Sequence, residues 1–364
     1  LVQETGFDWA HASQGKDFCG LPHQTIPGVH SPAFARRRLV QNFPVSPPDH
    51  VRLQLARTLA SQADQVLGMA FRPRRPALIT SSEEGAVRHW DLRTGTAQLL
   101  AKVATTSLAA IACSPDGQLL AAGDGNGAIW LCDLNSGRLQ QLRGGHRLAI
   151  LAIAFTPDGQ ALATGSLDGS ARLWTIGNNK PLLTFEGHSD SVEGLAFHPT
   201  RQMLATASQD GSVRLWQADT GQPIATVFQA GSWVTSVAFS PNGRWLACGL
   251  ETGEAHIWEV QTGQPHRLLI NHKGSVLSVA FSPDNQFLAT GSADGTGRLW
   301  AVETGHHLAV AVGHERAVSA VAFARQTPKP TGALSLQTSQ SESLMLATGS
   351  HDGTVRLWSV ITSP

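Results

Sequence analysis

The sequence predicts an all-β repeat protein made of seven copies of one antiparallel unit. Three observations predict it. A tryptophan position recurs at Trp90, Cys132, Trp174, Trp216, Trp258, Trp300 and Trp358, in five steps of 42 residues and a last step of 58. Each copy opens on short apolar runs of strand length, separated by turn residues at fixed offsets. In the stretch 187–216, for example, runs at 191–197 and 202–208 flank a turn around Pro199, and Gln209-Asp210-Gly211 leads to a third run ending in Trp216. A period in this range marks a repeat architecture whose units cannot bury their apolar faces alone.

The recurring residues are Gly145-His146, Gly187-His188 and Gly313-His314, the turns Asp168-Gly169, Asp210-Gly211, Asp294-Gly295 and Asp352-Gly353, and Arg-Leu-Trp at 172–174, 214–216, 298–300 and 356–358. Together they resemble the WD-repeat family of β-propellers, from residue 51 to about 360. The regular 42-residue spacing resembles bacterial members. The resemblance implies a seven-bladed β-propeller of four-stranded antiparallel blades, and a non-enzymatic scaffold that binds a protein or peptide without a cofactor.

In chain order, residues 1–50 do not fit the repeat. They carry Pro22, Pro27, Pro32, Pro44, Pro47 and Pro48 and no periodic apolar pattern, which reads as an irregular arm or linker. The spacing of Cys19, His23 and His30 matches no zinc pattern, and Arg36-Arg37-Arg38 is too short a run to signify a nucleic-acid contact. Residues 51–60 sit where 177–186 sit relative to His188, in the place of a fourth, outermost strand. Only six residues follow Trp358, too few for an outer strand of its own. Residues 51–60 are therefore expected to complete the last blade, pairing with residues near 354–360 and removing an open edge. The propeller then runs over 51–364. First turns fall at Arg72–Pro76, Ser114–Gly117, Thr156–Gly159, Pro241–Gly243 and Ser282–Asn285. The seventh repeat carries an insertion at about 327–342, rich in Ser, Thr, Gln and Pro, expected as a mobile loop on the face away from the Gly-His loops.

Composition excludes several function classes. Lysine plus arginine equals aspartate plus glutamate at 27 each, so the basic footprint that nucleic acid or an acidic membrane requires is missing. No apolar run is long enough to span a bilayer. Cys113, Cys132 and Cys248 fall in strands where other repeats carry Phe, Trp and Thr. They read as buried thiols in a reducing, cytoplasmic setting rather than a disulfide framework. A monomeric propeller without bound metal is expected. The chain begins at Leu1 rather than methionine, and this supports an alternative role as the regulatory or sensor propeller of a larger bacterial signalling enzyme, a kinase or NTPase, whose catalytic domain precedes residue 1.

Four repeats hold a His, a Thr, an Asp and a Trp in register: His146, Thr164, Asp168, Trp174; His188, Thr206, Asp210, Trp216; His272, Thr290, Asp294, Trp300; and His314, Thr348, Asp352, Trp358. Out of context a Thr-His-Asp set suggests nucleophile, base and orienting acid. A catalytic set is needed only once, in a cleft, whereas this one recurs. The resemblance implies a buried hydrogen-bond chain instead. Three repeats depart from it, with Gln62, Thr80, Glu84, Trp90 in the first, Ala104, Ala122, Asn126, Cys132 in the second and Ala230, Cys248, Thr252, Trp258 in the fifth. The second is expected to rely on apolar packing alone. Gly123–Gly127 looks like a phosphate loop, but no Lys-Ser/Thr and no helix follow it.

Each first strand spaces its apolar residues by three and then two, as in Val192, Leu195 and Phe197. Strict strands alternate with period two, so a β-bulge is expected in every blade, including Leu108-Ile111-Cys113 in blade two. The residues at and near the bulges and before the Asp-Gly turns face the partner-binding end in the family. Here they are Leu67, Leu151, Leu167, Glu193, Gln209, Trp233, Glu251 and Leu277. Trp233, Leu151 and Leu167 are the apolar points, with Glu193 and Glu251 beside them. The expected ligand is a segment with an apolar anchor and a basic residue, docked over blades three to five.

Overall fold

The computed structural model describes residues 51–60, 64–103, 106–142, 145–178, 180–325 and 344–362. The arm 1–50 with Cys19, His23, His30 and Arg36–Arg38, the insertion at 327–342, and Gln62 and Ala104 lie outside the described residues. Those described form 28 strands in seven four-stranded antiparallel sheets, the expected seven-bladed propeller.

The chain starts with β1 (Val51–Ala60). Blade one is β2 (Val66–Arg72), β3 (Ala77–Ser82), β4 (Ala86–Asp91) and β5 (Ala97–Lys102). Blade two is β6 (Ala110–Cys113), β7 (Leu119–Gly123), β8 (Ile129–Asp133) and β9 (Leu139–Leu142). Blade three is β10 (Ile150–Phe155), β11 (Ala161–Ser166), β12 (Ala171–Thr175) and β13 (Pro181–Phe185). Blade four is β14 (Val192–Phe197), β15 (Met203–Ser208), β16 (Ser212–Gln217) and β17 (Pro223–Gln229). Blade five is β18 (Val234–Phe239), β19 (Trp245–Leu250), β20 (Glu254–Glu259) and β21 (Pro265–Ile270). Blade six is β22 (Val276–Phe281), β23 (Phe287–Ser292), β24 (Gly297–Ala301) and β25 (His307–Ala311). Blade seven is β26 (Val318–Arg325), β27 (Leu344–Ser350), β28 (Thr354–Thr362) and, from the other end of the chain, β1.

Closure follows the expectation. β1 pairs antiparallel with β28, Val51 opposite Thr362, Leu55 opposite Trp358 and Ala60 opposite Thr354. The first strands neighbour one another in order round the ring, and β26 returns to β2. Each seam between consecutive blades has its own apolar cluster. At the closing seam Leu59, Ala347, Val355 and Leu357 meet Val66, Leu78 and Trp90. Seven seams serve seven blades, so every blade buries both faces, which an open row would deny its end units.

Strand sequence follows radial position. Second strands lie between two neighbouring blades and read as small and apolar, as in Leu204-Ala205-Thr206-Ala207-Ser208, buried throughout. Fourth strands lie at the rim, and β17 leaves Pro223–Thr226 exposed. Burial on both faces suppresses the alternation that a half-buried strand would show.

The bulges appear in six blades, as register shifts at Val66/Gly68, Ile150/Ala152, Val192/Gly194, Val234/Ser236, Val276/Ser278 and Val318/Ala320. Blade two departs from the expectation: β6 starts at Ala110 and pairs with β7 without a shift. Asp124 stands where the second strands of blades one, three, four, six and seven end in Ser, and its carboxylate takes the amides of Asn126 and Ala128 (2.9 and 2.8 Å). The ladder therefore stops at Gly123 and leaves Leu108 without a strand residue opposite.

Candidate partner-binding face

In the four complete repeats the His, Thr, Asp and Trp side chains meet. In blade four the Trp216 indole N–H donates to Thr206 Oγ1 (2.8 Å), that hydroxyl lies 2.6 Å from His188 Nε2, and His188 Nδ1 lies 2.8 Å from Asp210 Oδ2. The chain repeats through Trp174, Thr164, His146 and Asp168 at 2.8, 2.7 and 3.0 Å. Blade six gives 2.9, 2.7 and 2.9 Å through Trp300, Thr290, His272 and Asp294. Blade seven gives 3.0, 2.8 and 2.9 Å through Trp358, Thr348, His314 and Asp352.

Burial holds His146, His188, His272 and His314 below the usual histidine range, so the rings are neutral at pH 7. A carboxylate can only accept, so Nδ1–H faces the aspartate, Nε2 accepts the Thr hydroxyl proton, and that hydroxyl oxygen accepts the indole N–H. Burial pushes the four aspartates upward. Hydroxyl, amide and imidazole donors outweigh it and bring each to about 2.

Sequence reading missed three members of this network. A Ser or Thr two residues after each aspartate (Ser170, Ser212, Thr296, Thr354) donates to Oδ1 at 2.6 Å. The Ser that ends each second strand (Ser166, Ser208, Ser292, Ser350) donates to a carbonyl of its Gly-His loop at 2.9–3.2 Å. Arg172 and Arg356, from the Arg-Leu-Trp triplets, reach the carbonyls of Gly145 and Gly313 (3.1 and 2.7 Å). All three recur in register, which was the available signal. Each aspartate also accepts the amide after its histidine, as Asp210 does from Ser189 (3.2 Å). Gly211 can follow it because its φ of 81° lies in the left-handed region, and a Cβ there would meet the Ala230 carbonyl oxygen at 2.5 Å. In blades three, four, six and seven the result ties the histidine loop to its Asp-Gly turn.

The incomplete repeats differ. In blade one the Trp90 N–H still reaches Thr80 (3.0 Å). Blade five replaces Thr with buried Cys248, and Trp258 stacks on His256 at 5.4 Å between centroids. Blade two does not rely on apolar packing alone: Trp130, two residues before Cys132, donates to Asp124 Oδ2 (2.9 Å). Donor and acceptor have both moved two residues along their strands, so matching by register overlooked them. Gly123–Gly127 is the turn between β7 and β8.

The proposed contact residues divide by exposure. Trp233 is 36% exposed and Leu167 40%, and Glu251 is exposed beside Trp233, whose carbonyl accepts its amide (3.0 Å). Leu148, missed from sequence, is 48% exposed next to Leu167. Leu67, Leu151 and Leu277 are half-buried at the bulges. Gln209 donates to Glu193 Oε1 (2.7 Å), and burial pushes the Glu193 carboxyl up to about 7. Two other bulge residues are structural. Thr235 donates to the carbonyl of Val276 and Ser319 to that of Val66 (2.6 Å), each fastening its blade to the next.

Residues 107–327, more than half of the chain, match the family described as IFT122 first beta-propeller. The chain belongs to that family. Residues 53–91 and 305–359 match the WD domain, G-beta repeat. The two matches place WD-repeat propeller sequence in the first and last blades as well as those between. No curated protein matches the chain. WD-repeat propellers are typically protein-interaction scaffolds and generally lack catalysis. Among the described residues of this propeller, no group of three or more His, Cys, Asp or Glu is arranged to hold a metal, and no helix is long and apolar enough to cross a membrane.

Proposed function

We propose that this propeller is a non-catalytic scaffold that binds a protein or peptide segment on the Gly-His face, over blades three to five. One observation carries the reading: Leu148, Leu167 and Trp233 are exposed on loops that the hydrogen-bond chains or neighbouring backbone bonds hold rigid. Anchors on a preformed platform cost less entropy on binding than anchors on mobile loops. Blade four lies between them and supplies Glu193, with Glu251 next to Trp233. A basic residue of the ligand over Glu193 favours its ionised form, so binding strengthens as pH rises through about 7. The scaffold acts as a monomer in a reducing, cytoplasmic setting, which the free thiols of Cys113, Cys132 and Cys248 suit.

The test is affinity capture from the native cell with the wild type, Trp233→Ala, Leu167→Ala and Glu251→Lys. Partners retained by the wild type and lost by these variants support the reading. Loss only on changing residues 327–342 contradicts it. The sensor-propeller role in a bacterial signalling enzyme is supported by the regular 42-residue spacing, and sequence upstream of Leu1 tests it.

A further inference from the structure

The opposite face carries a feature that the scaffold reading does not use. First turns in blades two, three, five and six are self-contained. A Ser or Thr hydroxyl bonds an Asp or Asn two residues on, as Ser114 does to Asp116 (2.6 Å), Thr156 to Asp158 (2.6 Å), Ser240 to Asn242 (2.7 Å) and Ser282 to Asp284 (2.5 Å). Blade one replaces this turn with Arg72-Pro73-Arg74-Arg75-Pro76. Its turn bond runs from the Arg75 amide to the Arg72 carbonyl (3.4 Å), and Arg74 takes a φ of 60°. The geometry is that of a turn whose third residue is ordinarily Gly or Asn. Arginine has no local reason to sit there, because its Cβ crowds the backbone in the left-handed region.

The strained turn borders a cavity of about 700 Å³ between the first turns and third-strand ends of blades one and two. Arg72, Arg74, Arg75 and Arg93 line it, against Asp116 as the lining carboxylate. The chain as a whole balances its charges, so four arginines here are a concentration and not a background. Arg72 is fixed in place: it donates to the Gly117 carbonyl (2.9 Å), Asn135 Oδ1 (2.9 Å) and the Leu134 carbonyl (3.4 Å). A guanidinium has five N–H donors, so two remain unspent. Arg93 is held by Asp91 (3.3 Å). Asp116 is occupied by Ser114 and by the Gln118 amide (2.9 Å). Gly117 permits the close approach of the two turns, since a Cβ there would lie 2.7 Å from the Pro73 carbonyl oxygen.

We propose that this cavity is an oxyanion site for a phosphate monoester group, gripped by Arg74 and Arg75 with Arg72 as the fixed floor. Arginine suits phosphate because its planar fork gives two parallel charge-assisted hydrogen bonds to tetrahedral oxygens. The strain at Arg74 is then retained for the ligand. The group can be carried by a phosphorylated protein segment or by a small molecule, and the two differ in what surrounds the phosphate.

The test is isothermal titration of the full chain with phenyl phosphate and with a capped phosphoserine pentapeptide, each against its unphosphorylated counterpart. Saturable binding of either phosphorylated probe, weakened about tenfold or more in Arg74→Ala/Arg75→Ala with the melting midpoint unchanged, supports the site. Tighter binding of the pentapeptide names a phosphoprotein, and equal or tighter binding of phenyl phosphate a small molecule. Arg74→Gly is the second arm: a raised midpoint with weakened binding shows that arginine is kept for the ligand. No saturable binding up to about 10 mM, a Kd weaker than the free energy expected of two charge-assisted bonds, overturns the proposal. So does binding unchanged in Arg74→Ala/Arg75→Ala.

Discussion

Gln209 Nε2 lies 2.7 Å from Glu193 Oε1, joining the Asp-Gly turn of blade four to the bulge in its first strand. The amide donor is neutral and does not compensate for burial of a charge, so the carboxyl is raised to about 7. A group whose folded pKa exceeds its unfolded value contributes its full stability below the unfolded pKa, near 4.5, and loses it as pH rises through about 7. Glu193→Gln is therefore expected to raise stability at pH 8 by roughly 3 kcal/mol and to change nothing near pH 4. Urea melts at the two pH values check this, and an equal gain at both contradicts the assignment.

Acid acts in the other direction on the hydrogen-bond chains. His146, His188, His272 and His314 have lowered folded pKa values, so their contribution is complete above about 6.5 and falls as pH drops below it. Asp168, Asp210, Asp294 and Asp352 stand at about 2 against a usual 3.8, and their contribution falls as pH drops from near 4 toward 2. Stability is expected to decline in two stages, measurable as urea midpoints from pH 8 to 3. A single decline confined below pH 4 means that folding does not lower the histidine pKa values.

His188→Ala leaves Thr206 and Asp210 each short of a partner, at a cost of roughly 1–3 kcal/mol for each buried group. Trp130→Phe is expected to cost only about 1 kcal/mol, because Asp124 keeps its two turn amides. Denaturant melts of the two variants compare them directly. Equal losses show that the rebuilt network of blade two carries as much as a complete one.

Removal of residues 1–61 strips β1 from β28 and takes Leu59 from the closing seam. An unpaired β28 is then an open edge, and aggregation is the expected result. Removal of residues 1–49 spares every bond of that pairing. Melting and light scattering of the two truncations separate the cases, and identical behaviour contradicts closure by β1.

The sequence by itself determined the architecture. Seven registered repeats fix strand number and turn position, because each of the first six blades is a local unit built from one continuous repeat. Closure was legible too, since the last repeat lacks an outer strand and 51–60 has its pattern. The complete polar sets could be read because their members recur.

Only the tertiary structure decided what lies between blades and where the repeat breaks. Thr235 and Ser319 stand at bulges and each bonds a carbonyl of the next blade, a partner that no single repeat contains. Trp130 and Asp124 escaped notice because both had shifted by two residues, which conserves their distance in space but not their register. Glu193 and Gln209, 16 residues apart, became a pair once the bulge turned one toward the other. Periodicity reports what every repeat shares. The differences between blades arise from contacts off the repeat register, within a blade at Trp130 and Glu193 and across seams at Thr235 and Ser319, and these exist only once the strands are packed.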